Sequence, residues 1–308
     1  MVTYRIGLFI KRERLRKGIS QEDLCDDIMD RTSLSKIENG RAVPTKQNLD
    51  LLLDRLGYNP NDLPFYLLDA ETERFQKLTE ELDGYLATHK NEEAKTLIRQ
   101  LEKDKKFAKN SVCQHYLLCT KAAYAMNIDQ SWDACFQLVM KAINYGKPGF
   151  HEKYIPDYLL SAYDLRAITM LGMLYSLNGE NEKAIQILED VIDNFERNCS
   201  SQSEIARHLP FLIQALVSIL ITDKKYSNAI SMSERGLSIC RSSNNFFFAP
   251  VLTLMKGEAL FFLGQEDLGV SLLKEAYFTF KLFGIPSQVK YTEDMVMKKT
   301  GISFEELD

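Results

Sequence analysis

Small residues recur at long, similar intervals through most of this chain. Ala94, Ala134, Ala184, Ala229 and Gly269 follow one another at separations of 40, 50, 45 and 40 residues, and the apolar positions around them have helical spacing. A small side chain at a fixed place lets paired helices approach closely, and larger neighbours fill the remaining gap. The period therefore predicts about five helix pairs stacked as a solenoid, with no strand among them.

The clearest unit spans residues 165–192 and resembles a tetratricopeptide repeat. Its small and aromatic marks are Leu171, Gly172, Tyr175, Gly179 and Ala184. A second plain unit near the C-terminus carries Gly257, Gly264 and Ala276. The intervals exceed the archetype of roughly 34 residues, which inserted loops such as KPGFHEKYIPD would explain. A last helix near residues 286–299 is expected to cap the stack.

The segment before the repeats is predicted to form a small domain of its own. At 308 residues the chain has room for two domains of ordinary size. We predict an all-α protein with a five-helix domain at 1–66, a linker at 67–71, a right-handed repeat domain with a capping helix at 72–301, and a tail at 302–308.

Local signals mark the helices of the first domain. Their expected N-caps are Ser20 (with Asp23 in a capping box), Thr32 or Ser33, and Thr45. Glycines are expected to end them at Gly18, Gly40 and Gly57. The expected core residues are Ile6, Phe9, Ile10, Leu15, Leu24, Ile28, Leu34, Ile37, Leu49, Leu52, Leu53 and Leu56. A fifth helix is predicted to begin near Asn61.

The third of these helices has side chains suited to the major groove of DNA. That groove admits one helix, whose N-terminal residues reach base edges while the preceding helix crosses the backbone. Arg31 can form paired hydrogen bonds with a guanine edge. The other short or flexible polar candidates are Thr32, Ser33, Ser35 and Lys36.

The segments SQEDLCDDI, LSKIENGRAVP and LDLLLDRLG resemble the repressor-type (Cro/C1, XRE) helix-turn-helix over about residues 5–66. The resemblance implies phosphate contacts from Gln21, Asn39 and Arg41. It implies base contacts from Arg31, Thr32, Ser33 and Lys36. Between Ile28 and Ile37 the turn is one residue shorter than the common repressor pattern and lacks glycine, a form that resembles the peptide-responsive Rgg, PlcR and PrgX regulators.

Charge is distributed unevenly along the chain. The net charge of -5 argues against indiscriminate binding of nucleic acid. The first seventeen residues carry a single acid, Glu13, and a predicted positive face for phosphates made of Arg5, Lys11, Arg12, Arg14, Arg16 and Lys17. Asp26, Asp27 and Asp30 lie on or near the second helix, and because carboxylates repel phosphates we expect Asp26 and Asp27 to face away from DNA.

The first helix of each stacked pair lines the concave wall of a solenoid. The repeat register places toward this wall Tyr116, Cys119, Asn127, Arg166, Thr169, Met173, Arg207, Phe211, Gln214, Ser218, Leu254 and Glu258. Their amide and guanidinium groups suit the backbone and carboxylate of an extended peptide, and their apolar side chains suit its hydrophobic residues. The alternative is that many of them are packing or surface residues, since a register error of one residue turns a side chain by about 100°.

A repressor-type domain joined to such repeats resembles the Rgg, PlcR, NprR and PrgX group over nearly the whole sequence. The resemblance implies a quorum-sensing regulator, a homodimer on paired DNA half-sites that binds an imported signalling peptide in its repeats. Paired half-sites also raise the affinity and discrimination of a domain that alone contacts few bases. Two other interpretations stay open: a scaffold that sequesters a protein partner, and a dimeric regulator that responds to no peptide.

The sequence contains none of the common enzyme motifs: GxxxxGK followed by Ser or Thr, GxGxxG after a strand, HExxH or GxSxG. Its six cysteines and four histidines are scattered without metal-ligand spacing. The start does not resemble a signal peptide, and no apolar run is long enough to span a membrane. We therefore expect a cytoplasmic protein with no membrane span, enzyme activity, cofactor or metal.

Overall fold

The computed structural model describes residues 2–58, 70–88, 90–128, 131–301 and 303–304. Helices and turns account for these residues, and no strand occurs among them. The chain forms two compact units, Met1–Glu81 and Leu82–Asp308. The predicted linker and tail lie largely outside the described residues, so the domain boundaries proposed at 66 and 72 stay predictions.

The first unit packs short helices around one apolar core. They are α1 (Val2–Arg16), α2 (Gln21–Cys25), α3 (Arg31–Glu38) and α4 (Lys46–Arg55). The unit also contains residues 70–81 of α5 (Ala70–Ala87). The core contains Phe9, Ile10, Leu24, Cys25, Leu34, Ile37, Leu52, Leu53 and Leu56. This confirms the expected inner faces except at Leu15, whose side chain is 61% exposed. The predicted fifth helix near Asn61 lies outside the described residues.

The N-caps of α2 and α4 are confirmed, and the predicted cap of α3 is wrong. Ser20 and Asp23 form a reciprocal capping box, and Thr45 accepts a hydrogen bond from the amide of Asn48. Asp30 caps α3, because its carboxylate accepts hydrogen bonds from the backbone N and the Oγ of Ser33 at 2.9 and 2.6 Å. These bonds lower the pKa of Asp30, and α3 consequently begins at Arg31.

The shortened turn between α2 and α3 bends at an aspartate. Asp27 has φ 53°, in the left-handed region that glycine normally occupies. Aspartate tolerates this conformation better than most residues. The turn therefore keeps the left-handed bend although the sequence supplies no glycine.

A buried ion pair joins α1 to α3. Arg14 donates from Nε and Nη2 to the two carboxylate oxygens of Glu38 at 2.6 and 3.0 Å, and from Nη1 to the carbonyl of Ile19 at 3.0 Å. The side chains of Arg14 and Glu38 are only 9% and 1% exposed. Close by, α1 approaches α3 so tightly that a Cβ at Gly7 would lie 1.8 Å from the carbonyl oxygen of Ile37.

The second unit is a stack of helix pairs. The last two turns of α5 precede α6 (Asn91–Lys103), α7 (Lys105–Lys109), α8 (Ser111–Asn127), α9 (Trp132–Gly146), a 3-10 helix (Glu152–Asp157), α10 (Ala162–Leu177), α11 (Asn181–Asn198), α12 (Gln202–Thr222), α13 (Tyr226–Ser242), α14 (Ala249–Phe262), α15 (Glu266–Leu282) and α16 (Pro286–Thr300). The pairs α8/α9, α10/α11, α12/α13 and α14/α15 pack closely, and α16 packs against α15 at the place expected of the capping helix. Helices α5 and α6 lie where a further pair was predicted, so the count of five pairs stays a prediction.

The small residues stand where paired helices approach. Ala94, Ala184 and Ala229 are fully buried. In the α14/α15 pair, a Cβ on Gly257 would lie 2.9 Å from the carbonyl oxygen of Gly269, and a Cβ on Gly269 2.7 Å from the amide nitrogen of Phe261. These contacts leave no room for a side chain, which explains the repeat of small residues.

The inserted segment between α9 and α10 is fastened to α11. Asn194, which is buried, donates from Nδ2 to the carbonyl oxygens of Ile155, Pro156 and Tyr158 at 2.9, 3.1 and 2.8 Å. The Tyr175 hydroxyl adds a 2.6 Å hydrogen bond to Glu152. This segment accounts for the longest interval between repeats, 50 residues.

One of the described helices, α12, is apolar and long enough between Glu204 and Thr222 to satisfy a composition test for a membrane span. That stretch is 61% buried within the protein. Its side chains Leu212, Ile213, Leu216 and Val217 belong to the core of the repeats. Its hydrophobicity is therefore explained by packing.

Replacing Gly257 with Ala should destabilise the repeat unit by about 1–3 kcal/mol, because the new methyl group would overlap the backbone of α15. Gly84→Ala is the control: it is also helical, has no atom within 4 Å of its Cβ position, and should stabilise by about 0.5–1 kcal/mol through helix propensity. Urea unfolding followed by circular dichroism measures both. Equal effects of the two substitutions would contradict the close packing of α14 and α15.

Replacing Glu38 with Gln should destabilise the first unit by about 3 kcal/mol, since it leaves the buried Arg14 charge without its counter-ion. The double variant Arg14→Met, Glu38→Leu should recover most of this loss, because a buried pair can be replaced by apolar side chains. Hydrogen exchange of α1 and α3 in the full chain is the measurement. Glu22→Gln, which removes only the exposed pair with Arg31, should change exchange little.

Candidate functional site

Helix α3 has one buried face and one polar face. Leu34, Ile37 and Glu38 point into the core. On the other side Arg31, Thr32 and Lys36 are exposed, and Ser33 and Ser35 are half-buried. Every residue predicted to contact bases therefore lies on the outer side of one helix. Arg31 forms a 2.9 Å ion pair with Glu22, but both side chains are largely exposed, so the pair is weak and exchangeable.

The predicted phosphate-binding residues border α3, and two of them have intramolecular partners. Gln21 donates from Nε2 to Glu38 at 2.8 Å. The Asn39 amide donates to the carbonyl of Ser35 at 2.8 Å and closes the last turn of α3. Arg41 is exposed. The roles of these residues toward phosphate stay predictions.

The predicted positive face of α1 is smaller in the structure. Arg14 is committed to Glu38 in the interior, so its inclusion in that face was wrong. Arg12 and Arg16 both contact Glu13, which also accepts a 2.6 Å hydrogen bond from the hydroxyl of Tyr58. This bond, more than the two arginines, lowers the pKa of Glu13.

The remaining charged residues of this region lie at the surface. Lys17 is exposed and Lys11 half-buried, whereas the side chain of Arg5 is not among those described. Asp26 and Asp27 are exposed, which agrees with their expected orientation toward solvent.

In the repeat unit, two first helices present accessible stripes at helical spacing. On α10 the stripe contains Arg166, which is half-buried, and Met173, which is exposed. On α12 it contains the exposed Arg207 and Ser218 and the half-buried Phe211 and Gln214. These positions are three, four, seven or eleven residues apart, so each set shares one side of its helix.

Other predicted peptide contacts are enclosed by the packing. Cys119 and Thr169 are fully buried, and Leu254 joins a cluster with Leu273 and Tyr277. Burial raises the pKa of the Cys119 thiol to about 12, and Thr169 donates to the carbonyl of Leu165 at 2.7 Å. Tyr116 and Glu258 are also buried. Direct contact of these residues with a ligand stays a prediction from the sequence.

Two kinds of residue were missed by the sequence reasoning. On α14, Val251 and Met255 are half-buried and one turn apart, and Met255 packs against the repeat core. A shift of one residue in the repeat register, from Leu254, would have selected Met255. Asp83 on α5 contacts both Tyr116 and Arg166. No local pattern connects residues so far apart in the chain.

A polar cluster lies buried where α8, α9 and α10 meet. Lys147 and Asp164 form a 2.9 Å ion pair, and His115 Nε2 lies 4.0 Å from the other oxygen of Asp164. Burial lowers the pKa of His115, so the imidazole is neutral near pH 7. In the part of the chain that the structure describes, no three His, Cys, Asp or Glu residues are placed to hold a metal ion.

Residues 10–63 match the helix-turn-helix family. No curated protein matches the sequence. Among solved structures, PlcR of Bacillus thuringiensis, in complex with the peptide PapR7 and DNA, is similar with a TM-score of 0.71 at 18% identity, covering 94% of this chain and 99% of PlcR.

Two further solved structures have the same architecture. The SHP pheromone receptor Rgg2 of Streptococcus dysgalactiae has a TM-score of 0.62 at 16% identity, covering 96% of this chain and 100% of Rgg2. ComR of S. thermophilus, in complex with DNA and its signalling peptide ComS, has a TM-score of 0.60 at 18% identity, covering 96% of this chain and 100% of ComR. The protein thus carries an N-terminal helix-turn-helix domain and shares the fold of the regulators PlcR, Rgg2 and ComR over nearly its whole length.

Proposed function

We propose that this protein is a sequence-specific DNA-binding transcription regulator whose repeat domain binds a short signalling peptide and thereby alters DNA binding. The observation that carries the proposal is the outer face of α3, where every predicted base-contacting side chain is exposed or half-buried. It belongs to a helix-turn-helix domain joined to repeats with accessible stripes.

The DNA-binding role rests on the chemistry of α3. Arg31 stands in its first turn, where a recognition helix reaches base edges. Its guanidinium fits a guanine edge, and its present partner Glu22 is an exposed carboxylate that it can leave at little cost. Lys36 lies one and a half turns further on and is exposed. Both can meet DNA without disturbing the core.

The peptide-binding role rests on the stripes of α10 and α12. Met173 and Phe211 offer apolar contact, while Arg166, Arg207 and Gln214 offer groups that bind carboxylates and backbone amides. The first helices of stacked pairs line a concave surface suited to an extended ligand. PlcR and ComR, which share this fold, were solved with peptide and DNA.

The assembly and setting follow from the same function. A single head of this kind contacts few bases, so we propose a homodimer on paired half-sites. A regulator of transcription acts in the cytoplasm and needs no enzymatic chemistry. A protein partner held by the repeats, in place of a peptide, is the second candidate, because repeat surfaces of this type also bind folded proteins.

Arg31→Ala and Lys36→Ala should each weaken binding to the chain's own upstream DNA by about 1–3 kcal/mol. Arg31→Ala should in addition relax discrimination at one base pair, because it removes a paired hydrogen bond. Titrations at fixed salt measure both effects. The exposed Lys298→Ala in the repeat unit is the matched control for loss of one positive charge. Unchanged DNA binding by both α3 variants, with dimers intact by sedimentation, would refute the assignment of α3.

A library of short synthetic peptides should contain members that change the DNA affinity of the wild-type protein at fixed salt. Gln214→Ala should weaken this response about tenfold, because it removes an amide that binds the peptide backbone. Lys274→Ala, at a half-buried position of α15, is the control. DNA binding indifferent to every peptide, together with recovery of one stoichiometric protein, would favour the protein-partner alternative.

A further inference from the structure

Asp83 connects three successive first helices of the repeat stack. One oxygen of its carboxylate, Oδ1, lies 3.3 and 3.4 Å from Nη1 and Nη2 of Arg166 on α10. The same oxygen accepts a 3.2 Å hydrogen bond from the hydroxyl of Tyr116 on α8. The bridge therefore runs from α5 to α10 across the intervening helix α8.

Tyr116 is the buried member of this bridge. Its side chain is buried, and burial together with the charge of Asp83 raises the pKa of the phenol far above its ordinary value. The hydroxyl is consequently a permanent hydrogen-bond donor to a carboxylate. The guanidinium of Arg166 lies 6.0 Å from the Tyr116 ring, so a cation and a neutral donor converge on one oxygen.

The contact between Asp83 and Arg166 is weak enough for another carboxylate to replace Asp83. The side chains of Asp83 and Arg166 are 48% and 27% exposed, and the contacts of Arg166 are longer than the usual 2.7–2.9 Å of a strong charge-assisted bond. Both nitrogens of Arg166 reach the same oxygen, so the arrangement lacks the two parallel bonds of a bidentate pair. Exposed pairs of this kind contribute little to stability, and an incoming carboxylate that binds both nitrogens in parallel can replace Asp83.

We propose that Asp83 is an internal occupant of the Arg166 site, and that the peptide displaces it with a carboxylate of its own. This inference rests on the proposed function, because it specifies how the peptide-binding surface is held before the peptide arrives. Displacement of Asp83 breaks its contacts with Tyr116 and Arg166. The last two turns of α5 then keep the buried Leu82 and Leu86 and the 3.4 Å hydrogen bond from Asn127 to the carbonyl of Leu86. Residues 82–87 of α5 consequently lose one restraint within the repeat unit.

The bridge can be tested without any peptide. Asp83→Asn and Arg166→Gln, in the full chain, should each speed hydrogen exchange of residues 82–87 about two- to fivefold, because each removes one restraint on these turns. Glu102→Gln is the matched control: it removes another partly exposed ion pair of the same unit, with Lys121, and should leave residues 82–87 unchanged. Exchange identical to wild type in both bridge variants would overturn the proposal.

The carboxylate is tested with the short synthetic peptides that change DNA binding by the wild-type protein. Asp83→Asn should raise their affinity about three- to tenfold, and Arg166→Gln should lower it. Amidation of the peptide terminus, or replacement of its acidic side chains by amides, identifies which carboxylate competes, since the gain disappears when that group is removed. A gain that survives both changes, or no gain at all, would overturn the proposal.

Failure of the proposed function has a different signature. If no peptide binds the wild type or the Asp83→Asn variant, peptide sensing is refuted, and so is the displacement of Asp83 by a peptide carboxylate. The exchange measurement still decides whether Asp83 anchors α5.

Discussion

The repeat unit depends on the close approach of paired helices at small residues. At Gly172 an added Cβ would lie 3.1 Å from Leu188, and at Gly257 and Gly269 the opposing atoms belong to backbone. Backbone cannot rotate aside as a side chain can, so these positions set how near the helices lie. The large side chains then interdigitate around those contacts, and a continuous core runs from Cys119 to Ala259. The accessible stripes of α10 and α12 are what this core leaves uncovered.

The first unit is organised by a different constraint, the pair of Arg14 and Glu38. A unit this small has little apolar surface to bury, and it uses a buried two-bond ion pair to fix α1 against α3. Gln21 joins the same carboxylate from the start of α2. Glu38 thus connects α1, α2 and α3. These hydrogen bonds on the buried side of α3 fix the orientation of its outer face. Arg14, which the sequence suggested for phosphate binding, instead pairs with Glu38 in the interior.

Much of the architecture could be predicted because a helix is marked by signals within its own segment of sequence, namely apolar spacing and capping residues. Apolar spacing placed Leu34 and Ile37 inside, capping residues placed the starts of α2 and α4, and the small-residue period indicated the stacked helix pairs. Errors arose where two local signals compete. Ser33 and Asp30 can both cap α3, and the carboxylate won because it accepts from both the amide and the hydroxyl of Ser33. Leu15 is apolar but lies on the solvent side of α1, where the inner position belongs to Arg14.

The sequence by itself determined the all-helical class, the stacking of helix pairs in the repeat unit and the helix α3 whose polar side chains lie at the surface, since each follows from periods and caps within a few turns of chain. The tertiary structure alone decided which repeat residues are accessible: Cys119, Thr169 and Leu254 are buried, while Met173 and Ser218 are exposed. A turn of about 100° per residue separates those outcomes, and packing against neighbouring repeats selects between them. Folding alone likewise brings Asp83 to Arg166, because the contact joins first helices two repeats apart and leaves no trace in local sequence.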